Sequence, residues 1–389
     1  MLDSKESAGL RFEVFQGIPG LEKLAPAWRD LLAKLPTARF VHYPEWYRAY
    51  LASRDANPSR VRFIAAWRGA ELAAICPLQF QDYRVGRLQP KLLGTIDDDE
   101  MQTSDFIAAP AAAGGHLLDE LTHWLRSQRG VAWDELRLRK VPEDSAIANS
   151  ARTHMPKATL ALRYDASSYF DTSGSYDQAT QAMSGKFKRN LRRLAGRAES
   201  TAPLRHQSYR TTEELASAFE IFLQIEASGW KGDVGTSSAI RCSPSMRAFY
   251  QALVHEFSAL NASVINVLWH GDHPVAGQFC LHVGSCFNVL KIGFSDAHSS
   301  FAPGNLLLDR MIRQACDDPS IDTLSLVNAP PWARNFKPLT LGVWSYCTPN
   351  WNAGGAIVHL GLLAKRAWES RRQKGAVGGA AHTDEEVAA

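Results

Sequence analysis

The alternation of apolar and polar positions follows the same pattern twice along the chain. An apolar run from Phe63 ends in a tryptophan, passes through a short turn with glycine and resumes, and the segment from Ile265 repeats this arrangement. Two apolar runs joined by such a turn predict a β-hairpin. Downstream, Gly114 and Gly304 each precede a segment whose leucines recur three and four residues apart. This spacing predicts a helix with one buried face.

A short strand-like run follows each predicted helix, from Asp134 and from Asp322. Four features in the same order indicate a duplicated unit. We therefore predict an α/β (α+β) fold of two tandem units, each a mixed, mostly antiparallel sheet flanked by helices. The units cover residues 10–165 and 166–350. Residues 351–389 are predicted to form an amphipathic helix, which packs on the body in preference to a membrane surface, and then a disordered tail.

Composition narrows the class of protein. The 389 residues are 45% hydrophobic and 21% charged, and the formal net charge is +3. These values are typical of a soluble globular protein and argue against a general polyanion binder. No run approaches the roughly 18 apolar residues of a membrane span, and no secretory signal opens the chain. The six cysteines form no Cys-X-X-Cys pair. We expect a cytoplasmic protein with no membrane span and no metal.

The acidic run at residues 97–100, DDDE, is the one segment that suggests a metal site. Four consecutive carboxylates cannot all converge on one ion, so we interpret the run as a solvated loop.

The candidate chemistry begins where an apolar strand-like run, FNVLKIGF at residues 287–294, leads through a polar loop into the second glycine-headed helix. The start of a helix offers backbone N–H groups and the positive end of the helix dipole to an anion. Gly304 would let the backbone approach a phosphate closely. An ordinary helix entry, with Pro303 as the start signal, explains the same residues equally well.

Five segments occur in an order that resembles a known family. They are SGKFKRNLRRLAGR from Ser184, IEASGWKGDVGTSSAI from Ile225, SMRAFYQAL from Ser245, GFSDAHSSFAPGNLLLDRMI from Gly293 and NFKPLTLGVWSY from Asn335. Together they resemble the CelD/BcsL-like branch of the GNAT acyltransferase superfamily, which is related to the FemAB peptidyltransferases and built from two GNAT units in tandem. The resemblance covers about residues 35–350.

The resemblance implies an acyl-CoA co-substrate, acetyl-CoA or a longer acyl-CoA, bound by the second unit and not by the first. The donor-binding residues that it implies are Phe294, Ser300, Phe301, Ala302, Gly304 and Asn305. Only one glycine of the usual phosphate loop is present, and Phe336-Lys337 is closer to the FemAB-like pattern. That pattern implies aminoacyl-tRNA as an alternative donor.

The segment from Ser184 carries six Lys or Arg residues in 14 positions. On a helix, Lys186, Arg189 and Arg193 share one face, and Leu191 and Leu194 share another. The sequence leaves a purely solvated face open. The resemblance implies that Lys186 and Arg189 hold an anionic substrate. The near-neutral net charge and the absence of a nucleic-acid motif argue against DNA and leave tRNA as a lesser alternative.

Other side chains are candidates for the transfer reaction. Glu226, near the end of a predicted helix, could accept the proton that an attacking amine loses. Lys337 could stabilise an oxyanion, and Tyr346 could return a proton to the leaving thiolate. The candidates for acceptor binding are Asp105, Trp230 and Lys231. A helix-end carboxylate, core aromatic residues and surface cations remain the structural alternatives.

These observations predict an N-acyltransferase that moves an acyl group from acyl-CoA to a small-molecule amine, with an amino sugar or a surface-polysaccharide precursor suggested by the resemblance. The alternatives are a FemAB-like transferase that uses aminoacyl-tRNA and a ligand-binding protein without catalytic activity.

Overall fold

The computed structural model describes residues 9–54, 57–84, 87–96, 98, 100–128, 131–229, 231–232 and 235–380, with side chains up to residue 368. These residues form 13 strands and 11 α-helices. The strands are β1 (Arg11–Gln16), β2 (Val61–Arg68), β3 (Glu71–Gln81), β4 (Leu92–Gly94), β5 (Ile107–Ala108), β6 (Glu135–Pro142), β7 (Leu160–Asp171), β8 (Leu204–Tyr209), β9 (Ser263–His270), β10 (His273–Val283), β11 (Cys286–Phe294), β12 (Thr323–Ser325) and β13 (Leu339–Pro349). The helices are α1 (Gly17–Leu32), α2 (Pro44–Ser53), α3 (Pro110–Ala113), α4 (Leu117–Ser127), α5 (Ala146–Thr153), α6 (Tyr176–Ala179), α7 (Gly185–Glu199), α8 (Thr212–Ala227), α9 (Pro244–Ser258), α10 (Pro303–Asp317) and α11 (Ala353–Ala380).

All the strands join one sheet, in the order β1-β2-β3-β4-β6-β13-β7-β12-β11-β10-β9-β8, with β5 paired to β3. The order is nearly symmetric about the β13–β7 pair, because β1, β2 and β3 occupy the places on one side that β8, β9 and β10 occupy on the other. We call β1–β6 with α1–α5 the first half and β8–β12 with α6–α10 the second half.

The two halves exchange a strand at the centre of the sheet. The late strand β13 lies between β6 and β7, and β7 lies between β13 and β12. Each half is therefore completed by a strand that comes from elsewhere in the chain. The boundary predicted at residues 165 and 166 falls inside β7, because the sequence pattern of a long strand does not show which neighbours it pairs with.

Helices cover both faces of the sheet. On one face a single apolar core runs through both halves under α1, α2, α8 and α9, and Trp46 of α2 meets Phe249 of α9 with ring centroids 5.4 Å apart. On the other face the halves have separate cores, one under α7 and α10 and one under α4 and α5. The shared core ties the halves together.

Several predicted elements are confirmed. The hairpins β2–β3 and β9–β10 turn at Gly69 and Gly271, whose φ angles of 62° and 58° favour glycine. The basic segment forms α7, and the Ser184 side chain accepts the Phe187 N–H at its start.

The C-terminal segment differs from its prediction in two respects. Helix α11 continues to Ala380, through residues 375–380 that the sequence assigned to a disordered tail. No proline interrupts this stretch, so nothing in its chemistry stops the helix. Packing on the body is also limited, because Leu360 and Trp368 are 64% and 57% exposed. Within the described residues, no helix is both long enough and apolar enough to cross a bilayer.

Candidate functional site

A cavity of about 640 Å³ lies at the C-terminal end of β11 in the second half. Six of the predicted site residues line it, from α8, β11 and the start of α10. They are Glu226, Lys231, Phe294, Ala302, Gly304 and Asn305. Gly229, Ile292, Gly293, Ser299, Pro331 and Trp332 complete the lining. The sequence thus identified residues from three separate elements that the fold brings to one place.

The cavity exists because β11 parts from its parallel neighbour. Strand β11 pairs with β12 only from Cys286 to Asn288, opposite Thr323 to Ser325, and then continues alone to Phe294. The pairing of β11 with β10 shifts register near Phe279, which marks a bulge that bends the strand. The open edge of β11 is left to side chains or to a ligand that can form hydrogen bonds with its backbone.

Side chains occupy part of this open edge. Lys231 Nζ donates to the carbonyl oxygen of Ile292 at 2.9 Å, and Gln102 Nε2 donates to that of Leu290 at 3.4 Å. A second cavity, of about 190 Å³, borders the same edge and shares Lys231, Ile292 and Trp332 with the first. The two cavities form one cleft along β11.

Helix α10 points its N-terminus into the cleft. Ala302 has a left-handed conformation (φ 50°) that turns the chain into the helix at Pro303. A Cβ added to Gly304 would lie 3.6 Å from the ring of Phe294, so the residue sits directly beside the end of β11. The first turn of α10 has no acidic residue. Its N–H groups and dipole therefore favour a phosphate at this end of the cleft.

Glu226 lies at the other side of the cleft, on the last turn of α8. Its side chain is almost fully buried; Oε2 accepts the Ile240 N–H at 2.8 Å, and Oε1 lies 3.5 Å from Lys231 Nζ. Burial lowers the pKa of Lys231, and the carboxylate of Glu226 acts in the opposite direction. A Cβ on Gly293 would lie 2.5 Å from the Cα of Glu226, so this glycine allows α8 to pack closely on β11.

A buried charged cluster from the first half supports β11 from behind. Lys291 Nζ lies 3.1 Å and 3.0 Å from the two carboxylate oxygens of Glu100, and the Tyr250 hydroxyl also donates to Glu100. Asp98 pairs with Arg54. The prediction of a solvated acidic loop is therefore wrong for residues 98 and 100, because each carboxylate is paired with a cation; residues 97 and 99 lie outside the described residues.

Four other predicted residues of the second half do not reach the cleft. Ser300 and Phe301 precede it, and Phe301 is buried against His270 with ring centroids 5.2 Å apart. Lys337 is exposed and follows the turn that contains Trp332. Tyr346 lies in β13 opposite Leu138, in the core of the first half, where burial raises its pKa. Lys337 and Tyr346 thus lie outside the lining, since the exchanged strand carries Tyr346 away.

The remaining candidates also lie elsewhere. Asp105 is buried in the first half, where its carboxylate meets Nε2 of His42 and a nitrogen of Arg39, each at 3.1 Å. Burial favours a higher pKa for Asp105, but His42 and Arg39 together lower it. Lys186 and Arg189 are exposed on the outer face of α7 and do not line the cleft. Trp230 lies outside the described residues.

The sequence offered partial signals for the residues that we missed. Lys291 is a lone cation inside an apolar strand, and such a residue needs a buried partner. Nothing in the sequence identifies Glu100 as that partner. Trp332, in PPWARNF, lines the cleft at a position that the sequence marked only as a departure from the family pattern.

Known proteins resemble this chain in sequence and in fold. Residues 185–334 match the family described as "Acetyltransferase (GNAT) domain", which confirms the predicted GNAT resemblance for this segment. No curated protein sequence matches the chain significantly. FemX is similar in structure, with 10% identity and a TM-score of 0.52 over 87% of this chain and 97% of FemX. L-PGS from Bacillus licheniformis is similar with 12% identity and a TM-score of 0.51 over 89% of this chain and 96% of its own.

At these identities the structural likeness concerns the fold alone. The predicted fold class, with tandem GNAT-like units related to FemAB proteins, is confirmed at that level. The finer CelD-like assignment stays a prediction.

Proposed function

We propose that this chain, whose residues 185–334 form a GNAT domain, is a cytoplasmic N-acyltransferase that uses acyl-CoA. The observation that carries the proposal is the parting of β11 from β12 beside the N-terminus of α10. An open strand edge next to a helix start suits a ligand that has amide groups at one end and phosphates at the other.

The lining fits such a donor in its chemistry. The N-terminus of α10, from Ala302 to Asn305, would hold the phosphates, and Gly304 leaves room for them. The edge of β11 near Ile292 would pair with the amides of the pantetheine arm, in the place where Lys231 Nζ now donates. The first half has no comparable opening within its described residues, since β4 pairs with β6 along its full length.

Bound acyl-CoA would supply an activated acyl group as a thioester. The task left to the protein is to position the amine and take its proton as the new N–C bond forms. Glu226 is suited to this task, because its carboxylate faces the cleft and the Ile240 N–H fixes its orientation. Lys231 pairs with the same carboxylate and holds it beside the open edge.

The acceptor would enter past Trp332. This side chain is 37% exposed and lines both parts of the cleft. An exposed indole offers a flat apolar surface to a sugar ring or an acyl chain. An amino sugar or a surface-polysaccharide precursor, which the sequence resemblance implies, is the acceptor class that we propose.

The donor can be tested by binding alone. Acetyl-CoA or a longer acyl-CoA should raise the melting temperature in the absence of RNA, since a ligand that binds only the folded state stabilises it. Gly304→Asp places a negative charge at the N-terminus of α10 and should weaken acetyl-CoA binding by about tenfold. The added Cβ has room beside Phe294, so the variant should fold.

His116→Asp is the matched control, because it places the same charge at the start of α4 in the first half. It should leave acetyl-CoA binding unchanged. Equal losses in both variants would contradict a donor site in the second half alone. Stabilisation by aminoacyl-tRNA without any response to acyl-CoA would favour the FemAB-like alternative, which the exposed cations of α7 make reasonable. A protein that responds to neither donor would be a ligand-binding protein.

A further inference from the structure

Helix α11 is fixed to the body only at its beginning. The side-chain amides of Asn350 and Asn352 both donate to the carbonyl oxygen of Trp133. Gly355 packs so closely that a Cβ there would collide with the Asn350 backbone, and Val358 is buried. Beyond Val358, no residue of the helix whose side chain is described is buried.

The exposed part of α11 has an apolar side that no described residue buries. Ile357, Leu360, Leu363 and Trp368 are between 39% and 64% exposed. At about 100° per residue they fall, with Ala364 and Ala367, on a single arc of the helix. A tryptophan, two leucines and an isoleucine on one exposed face form a larger apolar patch than a soluble surface usually carries.

The rest of this helix is basic. Lys365 and Arg366 lie on the arc opposite the apolar side. Farther along, the sequence adds Arg371, Arg372 and Lys374, while Glu369 is the single acid between residues 356 and 374. An apolar arc with tryptophan and leucine beside a cationic arc is typical of a helix that lies in the interface of an anionic membrane.

Charge decides between two possible occupants of the apolar side. A second copy of this chain would bring the same cations together across a symmetric interface, and like charges would oppose the pairing. An anionic lipid surface offers charge of the opposite sign at the level of the helix. We propose that α11 docks this protein onto membranes that contain anionic lipid.

The topology gives such docking a direction. Strand β12 runs parallel to β11 and antiparallel to β7, and β7 runs antiparallel to β13, so β11 and β13 run in the same direction. The cleft lies at the C-terminal end of β11, and α11 follows the C-terminal end of β13. Helix α11 and the proposed donor cleft therefore leave the sheet at the same edge.

Vesicle flotation tests the inference without any assay of transfer. The full chain should float with vesicles of equal parts phosphatidylcholine and phosphatidylglycerol, and should stay in solution with phosphatidylcholine alone. The double variant Leu360→Gln/Trp368→Gln should lose at least about tenfold in affinity for the mixed vesicles, because two buried apolar side chains are removed from the interface. Lys365→Gln/Arg366→Gln should lose about tenfold, and added salt should weaken the wild type in the same way.

Leu260→Gln is the matched control, since Leu260 is 40% exposed and lies between α9 and β9, far from α11 in the chain. It should bind vesicles like the wild type, and all variants should keep the wild-type melting temperature. Equal binding by the Leu360/Trp368 variant and the wild type would overturn the proposal. So would a dimer in light scattering that this variant dissociates, because the apolar side would then belong to a second copy.

Discussion

The two halves of the sheet treat the same structural position in opposite ways. In the second half, β11 pairs with β12 for three residues and then departs, which opens the cleft. In the first half, β4 pairs with β6 from Leu92 to Gly94, and Thr95 extends the contact by donating its N–H to the Arg137 carbonyl oxygen at 3.2 Å. A Cβ on Gly94 would collide with that carbonyl, so the two strands are held tightly together.

The difference indicates that the first half supports the cleft of the second. The loop after β4 crosses to β11, where Gln102 meets the Leu290 carbonyl and Glu100 meets Lys291. The helix starts differ in the same sense: α4 carries Asp119 and Glu120 in its first turn, whereas α10 carries no acid there. Acidic residues at a helix start oppose the binding of a phosphate.

The largest effect is expected from breaking the contact between the halves. Lys291→Met leaves Glu100 buried without its cation and should lower the free energy of unfolding by about 3–5 kcal/mol in urea titrations. The double variant Lys291→Met/Glu100→Gln should recover part of this loss. Arg247→Met, which breaks a surface ion pair with Glu220, should cost no more than about 1 kcal/mol. Equal costs for the two single variants would show that the cluster does not support the cleft.

A loss of turnover is the next largest effect. Glu226→Gln keeps the shape of the side chain and an oxygen for the Ile240 N–H, but removes the base. The rate of acetyl transfer to glucosamine, measured by release of free CoA, should fall by about 100-fold or more, with donor affinity little changed. Glu220→Gln, on the exposed side of the same helix, should keep the wild-type rate. An unchanged rate in Glu226→Gln would exclude this carboxylate as the base.

The smallest effect concerns pH and belongs to the second half. Burial lowers the pKa of His206, His282 and His298 below the ordinary value of 6.5. Below pH 6.5 the unfolded chain therefore binds more protons than the folded chain, and stability should decrease as the pH falls. Urea titrations between about pH 7.5 and about pH 5.5 should show this slope, and His206→Gln should reduce it. A slope that His206→Gln does not change would contradict the assignment for that residue.

The sequence alone determined the elements whose signals are local. Hairpins at Gly69 and Gly271, the amphipathic helix from Gly185 and the helix entry at Gly304 follow from turn residues and from apolar spacing, which short segments carry in full. The order of these elements also indicated the duplicated fold and most of the cleft lining, including Glu226.

Only the tertiary structure decided the features that depend on distant partners. The placement of β13 between β6 and β7 removed Tyr346 from the cleft, and the pairing of Glu100 with Lys291 turned an acidic loop into a buried support. Strand order and charge pairing are set by contacts between residues far apart in the chain, which local periodicity does not record. The sequence therefore specified the parts of the site, and packing between the halves decided which of them meet.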